Sequence, residues 1–206
     1  MKKSIIYCLT ILIVACNNTS TDNKETETLK KENEALKEEN IELKENGSNK
    51  IHDLQDEEEP KTEEEIVLDI RKKFGDINNN INSYKKIKKD LKGESSEGGE
   101  LKGYFNNEEL KKIVVSYYGE MGKLIEEYYF WNNNLFFVFT QDYLYNMPKI
   151  MDGSKVEKID ENRYYFSAGK LIRWLDPNKE KAAKSKMTEK EKEILQKTNK
   201  LKEKVY

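Results

Sequence analysis

Aromatic residues are concentrated in the middle of this 206-residue chain, where 17 of the 21 lie between Tyr104 and Trp174. The chain as a whole is 37% charged and only 36% hydrophobic, which is too hydrophilic for one large core. A core can therefore form only around the aromatic segment, in a domain of ordinary size, and the polar flanks must serve other purposes.

Within this segment a Tyr is followed six positions later by a Leu, with Asn, Gly or Ala-Gly turn residues between them. The four pairs are Tyr104/Leu110, Tyr118/Leu124, Tyr129/Leu135 and Tyr165/Leu171. Asn and Gly tolerate the positive φ of tight hairpin turns, so each Tyr is predicted to end a strand and each Leu to start the next. The pattern predicts an antiparallel meander of about six strands, at 100–105, 110–118, 124–131, 135–145, 162–167 and 170–175.

A helix is predicted before the meander. Thr62 and Glu65 have the spacing of a capping box, and apolar residues then recur every three or four positions to about Ser83. Residues 84–91 either continue this helix or begin the sheet. The fold class is therefore α+β, with an N-terminal helix packed on the antiparallel sheet in a domain spanning residues 62–176.

Residues 177–206 form a basic tail with 10 Lys and 5 Glu. Thr188 and Glu191 again have capping-box spacing, which predicts a C-terminal helix over about 188–204. Its apolar seam is narrow, so a mostly solvated helix is favoured over one that lies on an anionic membrane or pairs with an acidic partner.

The amino terminus is typical of a secretory signal over residues 1–15. Lys2 and Lys3 precede an apolar run of eleven residues, which is too short to span a membrane. The run ends in Ile13-Val14-Ala15-Cys16, which resembles the lipobox of bacterial lipoproteins. An uncleaved apolar anchor and an ordinary secretory signal are the alternatives.

The lipoprotein resemblance implies cleavage before Cys16, a diacylglycerol thioether on its sulfur and acylation of its new amino group. Two or more acyl chains hold a protein firmly on a membrane, so the partner implied for Cys16 is membrane lipid. Asn17 follows the Cys where inner-membrane lipoproteins tend to carry Asp, and this difference implies an outer-membrane location in the cell envelope.

An acidic stalk is predicted over residues 16–61, within a segment (16–65) that carries 17 acidic and 7 basic residues. Leu29, Leu36 and Leu43 recur every seven residues, with Asn33 and Asn40 between them. This heptad pattern predicts a helix over residues 24–46 and a parallel homodimer through it. A solvated single helix or flexible tether is equally compatible with so short a repeat.

The sheet segment loosely resembles the hairpin repeats of MORN-like proteins. The resemblance rests on the tyrosines and on Gly122-Lys123-Leu124 and Gly169-Lys170-Leu171. The regular glycines of those repeats are missing here, so the resemblance implies hairpins and no function.

Aromatic side chains of the predicted sheet are the candidate ligand contacts. Residues 135–145 are largely apolar on both strand faces, and one helix covers only part of one face, so the other face is a candidate binding surface. The residues chosen are Tyr129, Trp131, Tyr143, Tyr145, Tyr165 and Trp174. Their rings suit sugar faces or protein hot spots, and a place in the core is the alternative for each.

Several function classes are disfavoured by composition. The formal charge of −2 excludes a globally basic nucleic-acid binder. The single His, His52, lies in the acidic segment, and both Cys fall in the first sixteen residues, so no His-based triad, zinc site or cofactor is predicted. Paired carboxylates could still cleave glycans, and the candidates for that are Glu126, Glu127, Asp142 and Glu161.

The sequence thus predicts a non-catalytic, membrane-anchored envelope lipoprotein that binds a protein or a glycan. A first alternative is an inhibitor of a cell-wall-degrading enzyme or toxin, acting through a polar loop predicted at 146–161. A glycan-cleaving enzyme is the second alternative.

Overall fold

The structure is a computed structural model that describes residues 61–206. The predicted signal, the lipidation site Cys16, the acidic stalk and the heptad helix at 24–46 lie outside the described residues.

The described chain contains two α-helices and seven strands. The helices are α1 (Glu63–Asn79) and α2 (Lys184–Val205), and a single 3-10 turn, Ile81–Ser83, follows α1. The strands are β1 (Lys85–Leu91), β2 (Gly99–Asn106), β3 (Glu109–Gly119), β4 (Gly122–Trp131), β5 (Asn134–Tyr145), β6 (Val156–Ser167) and β7 (Lys170–Leu175).

All seven strands form one antiparallel sheet in chain order, which confirms the α+β class and the meander. The prediction of about six strands is corrected to seven because β1 belongs to the sheet. Its sequence, Lys-Lys-Ile-Lys-Lys-Asp-Leu, has no apolar alternation, since it is an edge strand whose side chains are mostly exposed. Strand β6 also starts at Val156 rather than 162, so the predicted loop at 146–161 is shortened to residues 146–155.

The turns of the sheet lie at two ends. At the proximal end are the turns at 107–108, 132–133 and 168–169, and at the distal end are the connections at 92–98, 120–121 and 146–155. Asn107, Asn132 and Ala168 have positive φ values of 55°, 49° and 47°, so the turn residues act as predicted.

Three of the four Tyr/Leu pairs mark the same irregularity at the proximal end. The register shifts by one residue directly after Tyr104, Tyr129 and Tyr165, each of which is followed by a Phe. The fourth pair lies at the distal end, where Tyr118 and its neighbours pair without a shift. The repeat is therefore a bulged hairpin used three times, and each bulge increases the local twist of the sheet.

The two helices cover opposite faces of the sheet. On the α1 face, the ring of Phe74 lies 4.9 Å from that of Tyr129 and 5.4 Å from that of Phe137. On the α2 face lies the larger core, which holds Ile194, Leu201 and Val205 of α2. The strand residues of that core are Leu91, Leu101, Phe105, Leu110, Ile113, Val115, Tyr128, Phe130, Val138, Tyr164, Phe166 and Leu171.

The prediction of a mostly solvated C-terminal helix is wrong. Leu201 and Val205 are 3% and 1% exposed, and a Cβ at Gly103 would lie only 3.1 Å from Val205 Cγ1. The seam looked narrow because it contains few apolar residues, but one of its positions is the buried Thr198, whose hydroxyl donates to the carbonyl of Ile194. A thin seam suffices because the sheet supplies most of the apolar surface.

The helix starts differ in how well the sequence predicted them. The Thr62/Glu65 capping box is confirmed, since the Thr62 N–H donates to Glu65 Oε2 at 2.7 Å and the Glu65 N–H donates to Thr62 Oγ1 at 3.3 Å. The second box is wrong because α2 begins four residues before Thr188. The Glu191 carboxylate instead accepts the backbone N–H of Leu171 at 2.7 Å.

Candidate functional site

Three of the six aromatic residues chosen from the sequence lie in the core. Tyr129, Tyr145 and Tyr165 are 0%, 7% and 3% exposed. The Tyr129 hydroxyl is held by the Glu127 carboxylate and by Asn78 of α1, and the ring of Tyr165 lies 5.0 Å from that of Phe137. These rings pack the sheet and have no surface to offer a ligand.

Both tryptophans are half-buried and already engaged. The Trp131 ring contacts two ammonium groups, those of Lys73 and Lys111, which lie 5.6 and 4.5 Å from its centre. The indole N–H of Trp174 donates to Asn162 Oδ1 at 2.9 Å. The structure therefore does not gather the six aromatic residues into one groove.

Tyr143 is the candidate ring that lies half-buried in the distal half of the α1 face. Its hydroxyl donates to Gln141 Oε1 at 3.2 Å, and Gln141 in turn donates to Glu161 Oε1 at 3.0 Å. Arg163 donates to the other oxygen of Glu161 at 3.0 Å, and the Lys123 ammonium lies 4.4 Å from the centre of the Tyr143 ring. This polar chain fixes the orientation of Tyr143.

Exposed apolar side chains are concentrated at the distal end. Of the eight large hydrophobic side chains that are exposed among residues 61–206, six lie there, and we call these six the distal apolar surface. They are Met121, Leu144, Ile150, Met151, Val156 and Ile159. Single exposed hydrophobics are ordinary, but six at one end of the domain, with Leu144 and Ile159 on opposite faces of the sheet, make that end the candidate interaction surface.

The loop at 146–155 carries the most exposed member of this surface, Ile150, at 91%. Hydrogen bonds within the loop and to the neighbouring β3–β4 turn hold it in shape. The Lys149 N–H donates to the carbonyl of Glu120 in the β3–β4 turn at 2.9 Å, and the Lys155 N–H donates to Asn146 Oδ1 at 2.9 Å. The Ser154 hydroxyl donates to the carbonyl of Met147 at 3.1 Å. The apolar tip is thus presented on a braced loop, which lowers the ordering cost of binding.

A groove of about 610 Å³ lies beside this surface. Its walls are Ser95 and Ser96 of the β1–β2 connection and residues of β3, β4, β5 and β6. Asp142 and Asp160 face each other across paired strands in it, and the Lys158 ammonium lies 2.7 Å from Asp160 Oδ2. The groove therefore combines charged side chains of both signs with the apolar Leu144 and Met121.

The four carboxylates considered for glycan cleavage do not meet in one place. Glu126 lies on the α2 face, where the Lys197 ammonium is 2.6 Å from Glu126 Oε2. Glu127 lies on the α1 face, with the Lys112 ammonium at 3.0 Å, and Glu161 belongs to the Tyr143 chain. Asp142 is exposed in the distal groove. The first three are engaged by cations or hydrogen bonds that hold the fold.

Burial shifts the pKa values of two groups beside Glu126, those of Tyr128 and Lys197. Burial, and then the Glu126 carboxylate, raise the pKa of the Tyr128 phenol. Burial also acts against the charged form of Lys197, but Glu126 outweighs it, so the pKa of Lys197 is raised. Lys197 and Glu126 thus form an ion pair between α2 and the sheet, which is a structural arrangement.

Residues 61–206 contain no group of three or more His, Cys, Asp or Glu side chains placed to hold a metal ion. Neither α1 nor α2 combines the length and apolar character that a membrane span requires. No protein-family model matches the chain, and it matches neither a curated protein nor a solved structure.

Proposed function

We propose that this chain is a lipid-anchored envelope protein that binds another protein, without catalysis, through the distal apolar surface. The observation that carries the proposal is the concentration of exposed aliphatic and thioether side chains on a braced loop and on strand ends that neither helix covers.

The chemistry of this surface favours a protein over a glycan. Sugar faces are best matched by aromatic rings, whereas Ile150, Met151 and Leu144 are aliphatic or thioether side chains. Met side chains adapt their shape to irregular protein surfaces. Exposed charges of both signs, including Glu120 and Lys149, surround the apolar residues as a polar rim does in protein interfaces.

A photocrosslinking experiment tests the binding proposal. The full chain is expressed in a bacterium with a benzophenone amino acid at position 150, and a matched version carries it at Glu108, an exposed position in a proximal turn. We expect a discrete protein adduct from position 150 and none from position 108. An excess of unlabelled chain should abolish that adduct, whereas an excess of the Ile150→Asp chain should not.

The outcome that contradicts the proposal is equal crosslinking from both positions, or competition by both unlabelled chains. The Ile150→Asp variant is a fair competitor because a side chain that is 91% exposed contributes little to folding. Its free energy of unfolding should stay within about 0.5 kcal/mol of the parent.

Lipid anchoring is tested separately by metabolic labelling with radioactive palmitate. We expect the full chain to be labelled and recovered with membranes, and the Cys16→Ser chain to be unlabelled and released. Labelling that persists in Cys16→Ser would contradict the anchor while leaving the binding proposal open to its own test.

The exposed tip of the loop at 146–155 also favours a second function, inhibition of a cell-wall-degrading enzyme. An apolar tip on a braced loop has the form needed to enter an active-site cleft. Purified chain added to lysozyme should slow cell-wall lysis, and Ile150→Asp should restore it. Undiminished lysis at micromolar chain would contradict this form of the proposal.

A further inference from the structure

The two edge strands of the sheet, β7 and β1, differ in how far other described residues cover their backbone. Along β7, the Glu191 carboxylate accepts the Leu171 N–H at 2.7 Å, and the Ala182 N–H donates to the carbonyl of Trp174 at 2.9 Å. Lys181 also bridges to Leu175. The backbone of this edge is therefore partly covered.

The opposite edge, β1, is open within residues 61–206. β1 pairs with β2 over all seven of its residues in a regular register without a bulge, and no other described strand pairs with it. Alternate backbone N–H and C=O groups of an antiparallel edge strand point away from its partner. A long, regular edge of this kind is a template for another strand.

The charge of this edge is strongly positive. Lys85, Lys86, Lys88 and Lys89 occupy four of its seven positions, against one acidic residue, Asp90. Lys88 is paired with Glu100 of β2, whereas the other three lysines are exposed and make no ion pair with any residue in 61–206. The backbone groups of β1 that can bond a further strand and its three lysines without an ion pair in 61–206 thus lie along the same strand.

We infer that β1 receives an extended acidic segment of another protein as an eighth strand. Backbone hydrogen bonds to an exposed edge provide affinity, and side chains that flank the edge provide selectivity. Lysines on both sides of the strand would pair with acidic residues of the incoming segment, at positions directly across the new ladder. The site is separate from the distal apolar surface and does not depend on it.

The same lysines discourage pairing between two copies of this chain, because two β1 edges would bring like charges together. A second exposed edge is the distal half of β6, from Val156 to Asn162, which extends beyond β7. That stretch carries Glu157, Asp160 and Glu161 against one lysine, so it repels an acidic strand. Charge therefore directs an acidic strand to β1.

The test uses the full chain and three fluorescent peptides of eight residues. The first alternates pairs of Glu with pairs of Val, which places Glu on both faces of the added strand. The second has Lys in place of Glu, and the third is the Glu peptide with alternate backbone amides methylated. We expect saturable binding of the first peptide, with slowed hydrogen exchange at residues 85–91. The other two should bind at least about tenfold more weakly.

A pair of variants with equal charge change separates this site from general attraction. Lys85→Glu/Lys89→Glu should weaken binding of the Glu peptide about tenfold or more, whereas Lys149→Glu/Lys158→Glu at the distal end should change it less than about twofold. Absence of Glu-peptide binding would overturn the inference. Equal binding of the methylated peptide would indicate an unspecific anion surface and would also overturn it. Slowed hydrogen exchange at residues 156–162 instead of 85–91 would overturn it as well. So would slowed exchange of β1 caused by a second copy of the chain in the absence of peptide.

Discussion

Replacing Leu201 tests whether α2 is part of the fold. Leu201 is 3% exposed in the core between α2 and the sheet, so Leu201→Ala removes buried carbon atoms from a packed site. The lost burial alone is worth about 2 kcal/mol, and an unfilled cavity brings the total to about 2 to 5 kcal/mol. The matched control is Lys200→Ala on the adjacent exposed position, which should cost less than about 0.5 kcal/mol.

The measurement is urea unfolding of the full chain, followed by the fluorescence of its two tryptophans, both of which lie in the sheet domain. A loss of about 3 kcal/mol lowers the midpoint by about 1 to 3 M urea when the m value is unchanged. If Leu201→Ala behaves like Lys200→Ala, α2 is not packed on the sheet and our description of the main core is wrong.

Two further perturbations follow from named contacts. Hydrogen bonds from Arg173 lower the pKa of Glu63 and of Glu64, so the stability they add is present above the ordinary glutamate pKa and is lost as pH falls through the lowered value. Arg173→Met should therefore show a smaller loss of unfolding free energy between pH 7 and pH 3 than the parent, and equal losses would refute this. Gly103→Ala should cost about 1 to 3 kcal/mol because its Cβ would lie 3.1 Å from Val205 Cγ1, and a Val205→Ala background should reduce that cost in a double-mutant cycle.

The sequence predicted most of the sheet because local signals and tertiary packing agree there. Tyr, Phe and turn residues repeat around Tyr104, Tyr129 and Tyr165, and five of the predicted strands match those of the structure to within two residues at each end. The sequence of residues 84–91 does not decide between helix and strand because the lysines of β1 suit an exposed edge and carry no periodic signal. The burial of α2 is not predictable from the helix sequence alone, because most of the apolar area that it packs against belongs to the sheet.

The candidate surface was harder to predict than the fold. Aromatic rings suit a binding surface, but their large apolar area suits a core equally well. Tyr129 and Tyr165 are buried for that reason. The exposed pair Ile150-Met151 lies between charged residues in a polar loop. From sequence, such a pair is as compatible with an inward anchor as with an outward contact, and only the geometry of the loop separates the two.

The two ends of the sheet differ in how well they can accept inserted or deleted residues. The proximal turns are tied to bulges and helices, so a residue inserted there would shift the register of a strand whose side chains are packed on both faces. The loop at 146–155 lies beyond the main core and is tied to the β3–β4 turn by a backbone hydrogen bond, so it can gain or lose residues while the strands keep their pairing. The end proposed to bind a partner can thus vary while the scaffold stays the same.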